Sequence, residues 1–476
     1  MTPKDKNSKI IIVGAGVYGL STALSLLEDG FQDVHIFDKN DYLVQKYSYF
    51  NGCDSASSDM NKIFRASYGS QTHYQKMSLI SRDKFLQWNK QIAEENWEGG
   101  SPIYINSGNT HMSDLNELPL FERETLKRMG HDGSAIDIND PQAVEKATKK
   151  GLSARAVDPF DAKGKGIKLQ GVLDTTGGIM IAEKCCRWVL ELCRRVGGDR
   201  LHLHLGKLIG EVEHLLTTSG SGGEKKKCLG IKTKDGKCHF APLTCIFAGA
   251  WLSQIVPEAN EKVEATGGTV CICKVDSKGA LEEYSEKTFP SWTYKMRDGA
   301  MGGLYGFPIT HDGYMKIGYR GLKWINPKEG VNSKVKTAHT IDKETNVPLF
   351  GLLRIKNLIK KFIPEIQSIT LTRLCWYSDT SDNDFLITYC PHYDDDTLFV
   401  GAGDSGHAFM MLGSIGPVIK DIILKQGDDF LQNLFSWERE REQLNEINLG
   451  LADPRALSNL KMATPHDWSI YPKSHL

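Results

Sequence analysis

The chain has almost no net charge: 58 lysines and arginines face 59 aspartates and glutamates, leaving −1. It therefore lacks the basic surplus that draws proteins to nucleic acid or to anionic membrane surfaces, and neither partner is expected. Also missing is any uncharged apolar run of about 18 residues, the length a membrane-crossing helix requires. Eleven cysteines are scattered without a CxxC pair or a Cys/His spacing typical of metal sites. No metal and no disulfide framework are expected, and the compartment reads as reducing. Residues 1–9 are polar and run straight into an apolar strand, so no cleaved leader is expected. There is no internal repeat. What remains is 476 residues, 40% hydrophobic and 25% charged, enough for two or three domain-sized units with large cores.

The strongest local signal lies at the start. Residues 9–13, Lys-Ile-Ile-Ile-Val, form a short apolar run of the kind found in a parallel strand buried on both faces. Gly14-Ala15-Gly16-Val17-Tyr18-Gly19 follows, and residues 20–27 have helical periodicity. Gly14 allows the tight turn, Gly16 lets a pyrophosphate approach the backbone, and Gly19 lets helix and strand pack closely. The helix N-terminus offers free N–H groups to phosphates. A second strand, residues 34–37, ends in Asp38, spaced to accept from ribose hydroxyls. Strand, glycine turn, helix, strand and acid within forty residues predict a dinucleotide site.

The strand–helix alternation then stops, with a polar stretch over residues 40–59. Helical patterns return over 76–94 and 182–195. The strand 243–247 runs into Ala248-Gly249-Ala250-Trp251, a small-residue turn through Gly249 able to approach a cofactor. Residues 268–275, 301–308, 314–319 and 369–377 read as strands of a mixed or antiparallel sheet, and 219–227 as a surface loop. An interrupted pattern of this kind fits FAD enzymes better than NAD dehydrogenases, whose alternation completes one sheet. The expected class is α/β: a Rossmann-type FAD-binding domain from 1–90, 160–255 and 370–440, and a substrate domain with a large mixed sheet from 91–159 and 256–369. Residues 441–476 are expected to be a tail, exposed from 449 to 473.

Five blocks together resemble the sarcosine oxidase, pipecolate oxidase and fructosyl-amino-acid oxidase family of covalent flavoproteins, nearest its fungal saccharopine-oxidase and fructosyl-amino-acid-oxidase branch. They are Gly14 to Gly19, Asp59-Met60-Asn61-Lys62-Ile63-Phe64-Arg65, and the pair Leu304-Tyr305-Gly306-Phe307-Pro308 with Met315-Lys316-Ile317-Gly318-Tyr319-Arg320. The last two are Leu374-Cys375-Trp376-Tyr377-Ser378-Asp379-Thr380 and Gly403-Asp404-Ser405-Gly406-His407-Ala408-Phe409.

The resemblance implies an FAD-dependent oxidase of a small secondary amine, with oxygen as acceptor and hydrogen peroxide as product. Lys316 interrupts an apolar strand. Such a lysine is either buried against a partner or turned to solvent at an edge; in the family it faces the flavin and promotes oxygen reduction. Cys375 matches the cysteine joined through sulfur to the flavin 8-methyl carbon, a bond a thiolate can make. Taken by itself it also reads as a buried structural thiol. The turn with Asp404, Gly406 and His407 opens a helix and can meet the pyrimidine end of the ring; His407 is given no acid–base role. Arg65 corresponds to the arginine that grips the substrate carboxylate, Lys62 to a basic residue over the flavin face, and Tyr305 and Tyr377 to pocket aromatics. Arg320 is a second basic group four residues after Lys316.

One position departs from the family: Met410 stands where many relatives carry a lysine that anchors the carboxylate. Either Arg65 and Arg320 hold the carboxylate without it, or the polar end of the substrate lies elsewhere. Two rival readings remain open, a nicotinamide-dependent dehydrogenase and a flavin-binding redox protein without amine turnover. At the C-terminus, Ser474-His475-Leu476 resembles the tripeptide read by the peroxisomal import receptor. A peroxisomal location and a monomer are expected.

Overall fold

The computed structural model describes residues 5–471 apart from 219–224, 276, 297–302, 329–332, 338–345, 441 and 448. The Ser474-His475-Leu476 tripeptide, residues 301–302 of an expected strand and most of the expected 219–227 loop lie outside the described residues.

The four apolar residues of Ile10–Val13 are all buried and form a central strand of a six-stranded sheet. Its order is Leu386–Tyr389, Leu398–Ala402, Leu243–Ile246, Ile10–Val13, Val34–Asp38, Leu201–Leu205. Only Leu386–Tyr389 runs antiparallel to its neighbour. The helix Val17–Glu28 crosses back over this sheet, packed between Ala182–Gly197 and Ile415–Ile423. Its residues 18–27 are buried, which explains a sequence apolar almost all round instead of along one stripe.

An eight-stranded sheet has the order Leu371–Asp379, Glu264–Lys274, Tyr314–Trp324, Gly303–Gly306, Ser291–Lys295, Asn109–Ser113, Gln170–Asp174, Ala135–Asp137. All its pairings are antiparallel except Ser291–Lys295 with Asn109–Ser113, so the expected mixed sheet is present. Its members come from chain segments that alternate with those of the first sheet. Leu371–Asp379, assigned from sequence to the nucleotide domain, is hydrogen-bonded into the eight-stranded sheet along its whole length. Gln170–Asp174, assigned likewise, also belongs there. The chain leaves Leu371–Asp379 and enters the six-stranded sheet seven residues later at Leu386, so Cys375 and Tyr377 stand where the two sheets meet.

The expectation of an exposed tail is corrected for the described part of it. Bridges join Ile325 to Ala456, Pro348 to Met462 and Ser368 to Ser469. Ala456, Leu457, Ala463 and Ile470 are buried, and Arg455 pairs with buried Glu264. Apolar residues without periodicity can still be pinned one at a time to a sheet edge, a pattern that helical or strand templates do not detect.

Candidate active site

A cavity of about 610 Å³ runs from the glycine turn to the junction of the sheets. Its size is within the range of cofactor sites, about 300–1,000 Å³. At one end Gly14, Gly16, Asp38 and Gly249 line it, with Lys39 stacked 3.7 Å over Trp251. Gly14 has φ +103°, and a Cβ there would lie 2.3 Å from the Phe247 carbonyl oxygen. At Gly16 a Cβ would meet Ser57 Oγ at 2.9 Å, closing the approach to the backbone. Gly19 does not line the cavity; its missing Cβ lets the helix close on the Gly14 carbonyl, which a methyl would meet at 1.8 Å. Asp38 Oδ2 accepts from the Ala15 N–H at 2.9 Å and Oδ1 from the Asn40 N–H at 2.8 Å. It thus shapes the glycine turn as well as facing the cavity. Burial raises its carboxyl above the ordinary value, partly offset by those N–H groups.

A cradle that any Cβ would fill, beside a helix N-terminus, is what a pyrophosphate requires. Tyr18 also lines the cavity, and its buried hydroxyl has no hydrogen-bond partner among the described residues. Both observations fit the FAD implied by the sequence.

The other end of the cavity is charged. Asp59, 3% exposed, accepts from the ammonium groups of Lys62 at 2.8 Å and Lys316 at 2.9 Å. Lys316, 2% exposed, also donates to the Asn61 carbonyl at 2.6 Å and lies 4.4 Å over the Phe307 ring. Its strand position is therefore the buried one of the two the sequence allowed. Arg373 completes the group, 3.0 Å from Asp54 and 3.9 Å from Asp59. An isolated charge at such depth costs several kcal/mol, so the set exists only as a set.

Two forces compete at each member. Burial pushes the Asp59 carboxyl up, but Lys316, Lys62 and Arg373 outweigh it and hold the group far below the usual carboxylate range. Burial pushes Lys62 down, and Asp59 more than reverses this. Lys316 is the exception: burial prevails over Asp59, helped by the like charge of Lys62, and brings its ammonium down to about 8. Cys375 lines the cavity in the same corner, its sulfur 4.0 Å from Lys62 Nζ.

Aromatic residues frame this corner. Tyr305 stands opposite Gly318 in the antiparallel pair, and a Cβ on Gly318 would enter its ring at 2.2 Å. Tyr377, which lines the cavity, lies against Gly268 and Gly406, where a Cβ would stand 3.1 Å and 3.0 Å from its ring. Burial raises both phenols well above their ordinary value. Arg320 is exposed, donates to the Ser405 carbonyl at 3.3 Å and lies 5.6 Å from the Tyr377 ring centroid. Arg65 is half-buried, 4.2 Å over Tyr68, with one guanidinium nitrogen donating to the Ser67 carbonyl. Arg65, Arg320, Tyr305 and Lys316 surround the corner without lining the main cavity.

Asp404 lines the cavity, accepts from the Gly406 N–H at 2.9 Å, and is raised by burial to about 6. His407, grouped with the cofactor residues from sequence, does not line it. Its ring stacks on Phe385 at 4.7 Å, with Nε2 3.1 Å from the Asn383 carbonyl and Nδ1 3.2 Å from the Tyr68 hydroxyl. Met410 is buried, its sulfur 3.3 Å from the same Tyr68 hydroxyl. The position that departs from the family thus supports, from below, the tyrosine on which Arg65 rests.

Asp59, Asp54, Arg373 and Ser57 belong to the site and had no assigned role from sequence. Asp59 is three residues before Lys62, a spacing that invites an ion pair, but nothing local ties it to Lys316 some 250 positions on. Ser57 Oγ accepts from the Val17 N–H at 3.3 Å and lines the cavity, hidden in a polar stretch that reads as loop.

The family model "FAD dependent oxidoreductase" (DAO) matches residues 9–422. L-saccharopine oxidase of Schizosaccharomyces pombe is 24% identical over 450 residues, covering 92% of this chain and 94% of that protein. The probable sarcosine oxidase of Arabidopsis thaliana is 23% identical, covering 88% and 89%. The fructosamine oxidase of Aspergillus fumigatus (Amadoriase II), solved in complex with FSA, superposes with a TM-score of 0.69 at 22% identity, covering 91% of this chain and 90% of that one. This chain belongs to the DAO family of FAD-dependent oxidoreductases.

Proposed function

We propose that the chain oxidises the secondary amine of an N-substituted amino acid, with saccharopine-like compounds as the first candidates. The observation that carries this reading is the buried Lys316–Asp59–Lys62 set beside Cys375 at one end of a cofactor-shaped cavity. The relatives named for saccharopine and sarcosine point the same way, since both compounds join a secondary amine to a carboxylate. When bound, FAD supplies the hydride acceptor for the amine's Cα–H and returns two electrons to oxygen as peroxide.

The protein's own groups do the positioning. Arg65, 4.2 Å over the Tyr68 ring, offers its remaining N–H groups to the substrate carboxylate. Tyr305 and Tyr377 exclude water and keep the amine neutral, so no side-chain base is needed. The Lys316 ammonium stabilises negative charge as oxygen is reduced. The oxidised product is an imine, which water then splits. Anaerobic addition of saccharopine, then pipecolate, N-methyl amino acids and a fructosyl amino acid, is expected to bleach the yellow band, with colour and peroxide returning in air. A yellow protein that none of them bleaches refutes amine turnover.

Two finer features belong to the same proposal. Cys375 carries the flavin covalently through its sulfur: acid-precipitated parent protein should stay yellow and Cys375→Ser should release the colour. The C-terminal Ser474-His475-Leu476 addresses the enzyme to the peroxisome, beside catalase; deleting it should leave a reporter fusion diffuse, and unchanged puncta would refute the address.

A further inference from the structure

The strand Leu201–Leu205 is at the edge of the six-stranded sheet and reads Leu-His-Leu-His-Leu. Alternation turns both its histidines to one face, and parallel register sets His202 directly beside His35 of Val34–Asp38. Asp33 lies two residues before His35 and so on the same face. The His35 and His202 rings stack with centroids 4.3 Å apart. Asp33 Oδ1 is 2.7 Å from His35 Nε2 and 3.4 Å from His202 Nε2, and the three atoms lie within 4.8 Å of one another.

We propose that Asp33 Oδ1, His35 Nε2 and His202 Nε2 form a binding site for a divalent ion of the zinc class. Three ligand groups, two on paired strands and one just before them, gather on one face, and rotation of the two stacked rings with spreading of the Asp33–His35 contact admits an ion at ordinary bond lengths of about 2.0–2.2 Å. The fourth position is open to water, since the His202 side chain is 45% exposed. His35 Nδ1, 3.0 Å from His204 Nε2, is supported as metal-bound imidazoles are, through the nitrogen that does not bind. Two nitrogen donors with one carboxylate select against calcium and magnesium, which take oxygen ligands.

The site is invisible to motif spacing, because 167 positions separate His35 from His202 and no CxxC or HxxxH marks it. It is also apart from the flavin chemistry: Asp33 immediately precedes the strand that Asp38 ends, about 16 Å away. The bound ion would clip the edge strand to its neighbour and so stiffen the strand whose far end carries Asp38.

The test uses the untagged, flavin-loaded full chain in equilibrium dialysis against Zn2+ at neutral pH. One equivalent should bind with Kd of about 1–100 µM. His202→Ala and Asp33→Asn should each weaken binding at least about tenfold, whereas His214→Ala, an exposed histidine elsewhere, should not. Zn2+ should also raise the melting temperature of the parent and of His214→Ala but not of the two ligand variants. Absence of saturable binding overturns the proposal, and so does binding of equal strength in both ligand variants. Should one of these variants fail to fold, the other decides alone.

Discussion

At the Gly14 end the cavity is shaped by bare main chain at the glycines; at the other end it is bordered by a buried network of ionised side chains. The first is made by leaving atoms out: Gly14, Gly16 and Gly19 each lack a methyl that would strike a carbonyl or hydroxyl. The second is made by bringing charges together: three cations and two carboxylates from separate segments share one buried volume. Steric room cannot be partly present, whereas a charge network redistributes when one member is lost. The two ends should therefore fail differently, the first by losing the cofactor and the second by losing a step.

The largest effect is expected at the steric end. Gly19→Ala sets a Cβ 1.8 Å from the Gly14 carbonyl oxygen, a backbone atom that cannot turn aside. The helix must move off the sheet, at a cost of about 1–3 kcal/mol or more, and the phosphate cradle moves with it. Purified protein should hold less than about a tenth of the parent's flavin, a drop equivalent to about 1.4 kcal/mol of lost affinity. Flavin absorbance per mole of protein measures this directly. A fully yellow variant of unchanged melting temperature would show that the close packing is not what forms the cradle.

At the charged end, Lys316→Met should leave the protein yellow and reducible by substrate within a few-fold. Reoxidation by oxygen should slow by about 100–1,000-fold, the usual cost of one preorganised electrostatic contact. Stopped-flow mixing of reduced enzyme with oxygen separates the two halves. The pH dependence sharpens the point. With the Lys316 ammonium at about 8, the cation is present below that pH and lost above it, so reoxidation should decline as pH rises through about 8. Asp59→Asn removes the anion that partly restores the lysine, so the decline should move to lower pH. A decline that stays in place in Asp59→Asn, or one that persists in Lys316→Met, would assign it to some other group.

The same contrast explains what could be read in the sequence. The glycine turn is local: its residues are contiguous, each glycine has one steric reason, and strand, turn, helix and Asp38 appear in order. The charge network is non-local. Lys316 stood out as a cation in an apolar strand, but both its burial and its partner depend on Asp59 arriving from the segment before Lys62. The strand Leu371–Asp379 was legible as a strand of the mixed sheet, yet the domain boundary drawn at 370 put it with the nucleotide domain, because hydrophobic pattern records burial and not where the chain crosses from one sheet to the other. The segment carrying Ala456, Leu457 and Ile470 shows the converse, apolar residues that pack without any period to announce it.

His407 lies outside the cavity and should behave like neither end. It is next to the glycine-rich turn that borders the cavity, but its ring points into the aromatic cluster of Phe385, Tyr74 and Tyr68. Burial, reinforced by the charges of Arg65 and Arg320, brings the imidazole down to about 3. It is neutral near neutral pH and contributes nothing to a pH profile there. Its effect is on stability: the unfolded chain takes up a proton near 6.5 while the folded one does not, so stability falls as pH drops from about 6.5 towards about 3. His407→Gln should remove that part of the acid sensitivity, making the melting temperature flatter below pH 6.5. At neutral pH it should cost about 1 kcal/mol for the contacts to the Asn383 carbonyl and the Tyr68 hydroxyl. Turnover should remain within a few-fold of the parent. A turnover loss comparable to that of Lys316→Met would move His407 from support of the site into its chemistry, as a member of the charged end.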